Sequence, residues 1–380
     1  MPPDADSGDH ADAFRQFVLK VHSRCNLACT YCYVYRGADD SWRRRPHRAS
    51  GDVMHRTAAH IAEHAAAHRL PEVRIELHGG EPLLGGPGQV LAYAEAVRAA
   101  APPGCAVAAT VQTNGTLLTP ATLDALAVAD IRIGLSLDGG TARLNRRRTD
   151  HAARPSWPAA HRAARLLAER PAAWAGLLCA VDIAADPVEV YDSLAALQPP
   201  MLDLLLPHAT WATPPPRPQG SPDAYGQWLA TAFDRWWHDG PAAPRIRLFH
   251  EILALLLGAP STAETVGLAP SAAVVVDTDG AIEQTDTLKS AHQGAAATGL
   301  DVFRHSFDAA ATHAGVAARR HPRRALADAC RACPVGEVCG GGHYAHRYHP
   351  AHGFTHRSVY CADLEYLIRH IAARLAESGP

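Results

Sequence analysis

Short apolar runs alternate with longer amphipathic stretches through the first two hundred residues. QFVLKVH (16–22) reads as a strand, and further strand-like runs follow: VRIELH (73–78), AVAATVQT (106–113), IRIGLSL (131–137), GLLCAVD (176–182) and LDLLLP (202–207). Ala-rich helical patterns fill the intervals, around 53–69, 88–101, 120–129, 155–169 and 187–197. This βαβα beat predicts an α/β fold, a parallel sheet with helices outside it. Six strands suit a partial (β/α) barrel better than an eightfold closure, and they place chemistry in the loops that follow the strands.

The rhythm breaks at ATPPPRPQGSP (212–222), which reads as a boundary loop or linker. Two helical segments follow, over 222–239 and 245–258. In VVVDTDGAIEQ (274–284), Asp279-Gly280 between apolar residues predicts a β-hairpin. A Cys- and Gly-rich tail ends in a helix near 361–375. The expected division is a barrel over 1–210, a linker with bridging helices over 211–260, and a Cys-rich unit over 261–380.

Charge is balanced, 36 Lys+Arg against 38 Asp+Glu, so no sequence-independent phosphate-binding surface and no nucleic-acid partner is expected. Nearly all the positive charge is Arg, since Lys20 and Lys289 are the only lysines. The opening MPPDADSGDHADAFR lacks the apolar core of a signal peptide. The longest apolar run, ILALLLG (252–258), is far short of the roughly 20 residues that span a bilayer. No membrane partner and a cytoplasmic location are therefore expected. His60, His64 and His68 recur every four residues and are expected to form a solvated helix face.

Nine Cys in clusters fit metal ligation better than disulfides. Cys25, Cys29 and Cys32 lie on one short loop after the first strand. A closed structural metal site wants four protein ligands and a 4Fe–4S cluster is usually held by four thiolates. Three ligands suggest a cluster with one iron left open, and a zinc site completed by His22 is the alternative. Cys330-x-x-Cys333-x5-Cys339 and the later Cys361 could close a second site, for zinc or a cluster. Cys105 and Cys179 sit in apolar strand regions and read as small core residues.

The Cys-x-x-x-Cys-x-x-Cys loop resembles that of the radical S-adenosylmethionine (SAM) enzymes. The resemblance implies a 4Fe–4S cluster whose open iron takes the amino and carboxylate groups of SAM, and a 5′-deoxyadenosyl radical that abstracts hydrogen. GGEP (Gly79, Gly80, Glu81, Pro82), at the end of the second strand, is similar to the motif that binds the SAM amino group. Thr113 and Asn114 after the third strand, and Ser136 and Asp138 after the fourth, are expected to meet the ribose or the polar tail of SAM.

CRACPVGEVCGGG resembles the SPASM extension of peptide-modifying radical SAM enzymes, which holds two auxiliary clusters on seven Cys. This chain has His343 where that family places one Cys, and no Cys between 180 and 329. The losses belong to the cluster nearer the active site. The resemblance therefore implies one auxiliary 4Fe–4S cluster on Cys330, Cys333, Cys339 and Cys361. His343 either stands in as a ligand or packs and hydrogen-bonds.

Longer stretches resemble the FxsB-like maturases, which form three-residue cyclophanes in ribosomal precursor peptides. They are SRCNLACTYCYVYRGADDSWRRRP (23–46), LHGGEPLL (77–84), VVVDTDGAIEQTDTLKSAHQGAAATGLDVF (274–303), CGGGHYAHRY and VYCADL (359–364). The implied reaction joins an aromatic ring carbon to the β-carbon of a residue two positions later. The implied partners are a precursor peptide and an electron donor such as a flavodoxin or ferredoxin. The auxiliary cluster would accept an electron, and Asp277, Glu283 or Asp286 a proton, unless these are merely solvated hairpin residues. Thioether formation, epimerisation and sulfatase activation are the competing reactions, and a non-catalytic Fe–S or zinc protein is the alternative of a different class. The short amino-terminal stretch is expected to leave no room for a separate leader-binding domain.

Overall fold

The computed structural model describes residues 13–377. Up to residue 12, the stretch read as lacking a signal-peptide core lies outside them. Ten strands form one open sheet: β1 (Gln16–His22), β2 (Glu72–Gly79), β3 (Ala106–Thr113), β4 (Ile131–Ser136), β5 (Trp174–Ala180), β6 (Met201–Leu205), β7 (Arg245–Ile246), β8 (Ala273–Val276), β9 (Ala281–Glu283) and β10 (Ala297–Asp301). Their order is β10-β9-β8-β1-β2-β3-β4-β5-β6-β7. Strands β1 to β7 are parallel and β8 joins β1 in parallel, while β9 and β10 run antiparallel beyond it.

Local sequence explains the barrel half. Pro87, Pro120 and Pro187 each open a helix, where a missing N–H costs nothing. Ser50, Thr119 and Asp186 cap helices through the backbone N–H groups of Val53, Thr122 and Glu189. Along the strands, Phe17, Leu19, Val21, Ile75, Leu77, Val111, Ile133 and Leu135 are fully buried beneath the helices. The alternate positions carry a polar ladder, with Gln16 bonded to Glu76, Lys20 to His78 and Gln112 to Ser136.

Strand β5 begins two residues earlier than the pattern suggests, because a register shift lets Trp174 pair with Ile133. The hairpin turns where expected: Gly280, at a positive φ, donates its N–H to Asp277 O. Strands β7 and β10 carried too little alternation to be foreseen. The sheet passes without a break into the stretch assigned to the Cys-rich unit, through β8. The proline-rich segment is tied down as well, since Arg217 bonds both carboxylate oxygens of buried Asp363.

Two expectations are corrected. His60, His64 and His68 are not a solvated face: His64 is 2% exposed, and both His64 and His68 bond Asp308 Oδ1 at 2.8 Å. The helix at Phe307–Ala311 covers that side, a partner some 240 residues away in sequence. Cys105 is half-buried in the loop before β3 rather than inside the strand, whereas Cys179 is a buried core residue of β5.

Candidate active site

Cys25, Cys29 and Cys32 lie on the loop that leaves the end of β1. Cys25 Sγ receives the Leu27 N–H at 3.4 Å and faces Asn114 Nδ2 at 3.7 Å. Burial pushes the Cys25 thiol up to about 12, with Glu81, Cys29 and Cys32 adding to the rise. Burial likewise raises Cys29, against the pull of Arg148. Thiols so placed become thiolates only when cationic metal is present. N–H groups aimed at sulfur are the outer contacts that iron–sulfur ligands use.

The side chains expected to touch SAM are turned mostly toward each other and toward this loop. Glu81 is fully buried; Oε1 accepts from Leu83 N and Thr113 Oγ1, and Oε2 from Asn114 N. Its carboxylate is thus bonded within the protein and holds the strand ends at Leu83, Thr113 and Asn114 together. Pro82 opens the turn that Glu81 caps. Asn114 reaches Asn26 at 2.9 Å and Thr116, so it orients the Cys loop. Asp138 is buried and engaged with Tyr31 Oη, Ala180 N and Arg148, again gripping the loop rather than facing outward. Ser136 is held by Gln112 at 2.9 Å. Gly79 and Gly80 keep the strand end bare: a Cβ on Gly80 would lie 1.9 Å from Tyr35 Oη and 2.4 Å from Arg24 O.

Asp277, Glu283 and Asp286 are not solvated; they are 4%, 2% and 5% exposed. Lys289 meets Glu283 at 2.8 Å and Asp277 at 3.2 Å, Arg45 meets Asp277, Asp279 and Glu283, and Lys20 meets Asp286. Burial lowers Lys20 to about 8, helped by the nearby Lys289 charge. Against burial, Lys289, Arg45 and Lys20 hold the Asp277 carboxyl below its usual range. The turn at Asp286–Ser290 packs on the helical turn Tyr33–Arg36 that follows Cys32, and Asp39 N bonds Lys289 O.

In the tail, Cys330, Cys333, Cys339 and Cys361 line one cavity of about 320 Å³ together with Arg357, Ser358 and Glu365. Burial raises Cys339 to about 12, with Cys361 and Cys330 as neighbours. Four sulfurs around a single zinc ion would each stand at about 2.3 Å from it. The same four thiols could instead hold a polyatomic cluster. A larger cavity of about 510 Å³ opens at the hairpin, lined by Arg45, Glu283, Leu300 and Phe303, and touches no Cys.

Residues 19–170 match the family model of the Radical SAM superfamily. Over that stretch the chain is similar to radical SAM domains. The chain is 28% identical over 342 residues to a serine-type anaerobic sulfatase-maturating enzyme of Klebsiella aerogenes, covering 88% of this chain and 80% of that protein. A protein of the same description from Bacteroides thetaiotaomicron is 24% identical over 258 residues, 63% of this chain and 61% of its own length. Among solved structures, native anSMEcpe with bound AdoMet superposes with a TM-score of 0.80 at 21% identity, covering 96% of this chain and 99% of that one. Streptococcus suis SuiB bound to precursor peptide SuiA superposes with a TM-score of 0.60 at 15% identity, covering 92% and 76%.

These matches support the expected partial barrel and the radical SAM cofactor set, SAM with 4Fe–4S clusters including an auxiliary one. They do not single out the cyclophane-forming group. Among the described residues, no helix is long and apolar enough to cross a membrane. Sequence reasoning missed Tyr31, Tyr35 and Arg148 around the radical SAM loop, and Lys20, His78, Lys289 and Arg45 beneath it. The rarity of lysine in this Arg-rich chain was the one available signal for two of them.

Proposed function

We propose that this protein modifies a ribosomally made peptide by joining an aromatic ring carbon to a β-carbon two residues away. Cys25, Cys29 and Cys32 hold the radical SAM cluster, and Gly79–Gly80 with Thr113, Asn114, Ser136 and Asp138 shape the SAM end of the barrel. With cluster and SAM bound, the site supplies hydrogen-atom abstraction from an unactivated C–H bond. The tail thiolates hold the auxiliary cluster, and a small flavodoxin- or ferredoxin-type protein delivers electrons.

One observation carries this reading. The 274–303 stretch, most specific to the cyclophane resemblance, folds onto the Cys loop and sends Asp286 onto Lys20 of the barrel face. Asp277, kept charged by Lys289 and Arg45, is the group we assign to take the ring proton during rearomatisation. Its conjugate acid need not be weak, because a protonated arene surrenders its proton readily.

A second reading, modification of a single serine, is favoured by the matched relatives, which are described as serine-type sulfatase-maturating enzymes. Co-expression with a precursor from the neighbouring reading frame, followed by fragment mass spectrometry, separates the two. A loss of two hydrogens spread over a span that resists backbone fragmentation supports the crosslink. A change confined to one serine supports the second reading and removes the first. Asp277→Asn then tests the proton acceptor: unimpaired crosslinking by a stably folded variant would dispose of that role.

A further inference from the structure

Three imidazoles outside the cluster loops converge at the junction of barrel and tail. His208 follows β6, while His343 and His346 follow the Gly-rich run of the tail. Their facing ring nitrogens all lie within 4.8 Å of one another, and His208 Nδ1 is 3.2 Å from His346 Nε2. The ring centroids form a nearly equilateral triangle, 5.4, 5.4 and 5.0 Å on a side.

That triangle has the dimensions of a metal site. With Zn–N bonds of about 2.0–2.1 Å at tetrahedral angles, ligand nitrogens stand about 3.3 Å apart and ring centroids about 5.2 Å apart. The spacing of His208 and His346 already meets the first figure, and all three centroid pairs meet the second. We propose that His208, His343 and His346 bind one zinc-class divalent ion through three imidazoles, leaving a fourth coordination position open.

The surroundings are built for neutral, preset donors. Burial lowers His208 to about 3 and His343 to about 4, and holds His346 well below the ordinary range. All three therefore keep a lone pair at neutral pH. Gly340, Gly341 and Gly342 each take positive φ, and Arg347 binds all three of their carbonyls, which fixes the turn carrying His343 and His346. Tyr360 Oη donates to Pro207 O at 2.7 Å and fixes the residue before His208, while the Tyr33 ring packs edge-on against His208. Glu264 provides a neighbouring negative charge opposite Arg319 and Arg347. Ligation through His343 Nε2 protonates its Nδ1 and releases only a long 3.3 Å bond from Ala345 N.

A second imidazole group, at His64 and His68, shows what a purely structural cluster looks like, and a third, partly exposed one lies at His349, His352 and His356. His64 and His68 share the Asp308 carboxylate, and the remaining His64 nitrogen accepts the Phe14 N–H at 3.0 Å. Every donor atom of His64 is thereby taken. The trio at 208, 343 and 346 has no such carboxylate at hydrogen-bond distance among the described residues.

The test uses full-length protein with its iron–sulfur clusters reconstituted under anoxia, stripped of loose metal and equilibrated with Zn²⁺ alone. The expected result is about one zinc per chain with a nitrogen/oxygen shell near 2.0 Å in the zinc X-ray absorption spectrum. His343→Ala and His346→Ala should each weaken zinc retention at least about tenfold, with iron content unchanged, and His68→Ala should leave zinc in place. Failure to retain zinc overturns the proposal. So does a sulfur shell near about 2.3 Å, which would put the zinc among the tail cysteines. Zinc loss in His68→Ala, or none in the trio variants, overturns it too. Absence of zinc or a sulfur shell in the wild-type spectrum overturns the proposal even where a variant does not fold.

Discussion

Lys20 and Lys289 approach the same carboxylate, Asp286, Lys20 at Oδ2 and Lys289 at Oδ1. One rises from the first barrel strand and the other from the hairpin region, so the pair locks the tail onto the barrel wall beneath the Cys loop. Arg could not replace either in the same space, because its planar fork is larger than a compact ammonium.

Removing a cation from this network strands a buried carboxylate. Lys289→Met leaves Asp277, Glu283 and Asp286 facing one another with only Arg45 and Lys20 as counterions. Destabilisation of about 3–5 kcal/mol is expected, the usual cost of breaking a buried pair from one side. Lys20→Met, which removes one partner from one carboxylate, should cost less. Thermal and denaturant unfolding of both variants gives the order, and equal stability of Lys289→Met and wild type would contradict it.

A pH effect follows from His64. Its Nε2 accepts the Phe14 N–H and its Nδ1 faces Asp308, and burial lowers its pKa below the ordinary value despite that carboxylate. The unfolded chain therefore binds a proton, at about pH 6.5 and below, that the folded chain resists. The stability that depends on neutral His64 is full above that pH and is lost as pH falls below it. Replacing His64 with Leu should lower stability at pH 8 and flatten the decline between about pH 6.5 and 5. An unchanged slope in the variant would sink the assignment.

The Asn114 side-chain amide points at Cys25 Sγ. An N–H donor at a cluster sulfur stabilises the reduced, more negative state, and so raises the potential. Asn114→Ala should lower the midpoint of the amino-terminal cluster by on the order of tens of millivolts with iron content retained. Potentiometric titration followed by electron paramagnetic resonance measures it, and an unmoved midpoint argues against the contact.

Much of the frame was legible because it is written locally. The six barrel strands follow from period-two runs, the helix starts from Ser, Thr, Asp and Pro, and the Cys triplet from its own spacing. What stayed hidden depends on residues far apart in sequence. Nothing local to Glu81 announces that Thr113 and Asn114 bond its carboxylate. Asp277 and Glu283 look solvated until Arg45 and Lys289 cover them. His64 looks like surface until the 307–311 helix arrives, and nothing in the run around His208 announces two further imidazoles from the tail.

The four tail cysteines offer the sharpest separation between a cluster and a zinc ion. Cys361 comes from the start of the last helix, far in sequence from the Cys330–Cys339 turn, yet all four line the same cavity. Arg347 and Arg357 pull down the raised Cys330 thiol, and Arg357 does the same at Cys361, a charge balance suited to an anionic iron–sulfur cluster. Cys361→Ala combined with Cys333→Ala should cut iron from about eight to about four per chain. SAM cleavage to 5′-deoxyadenosine should survive, because Cys25, Cys29 and Cys32 are untouched, while peptide turnover falls. If wild-type protein instead holds about four irons and loses one zinc on the same double substitution, the tail is a zinc site and the auxiliary cluster must be abandoned.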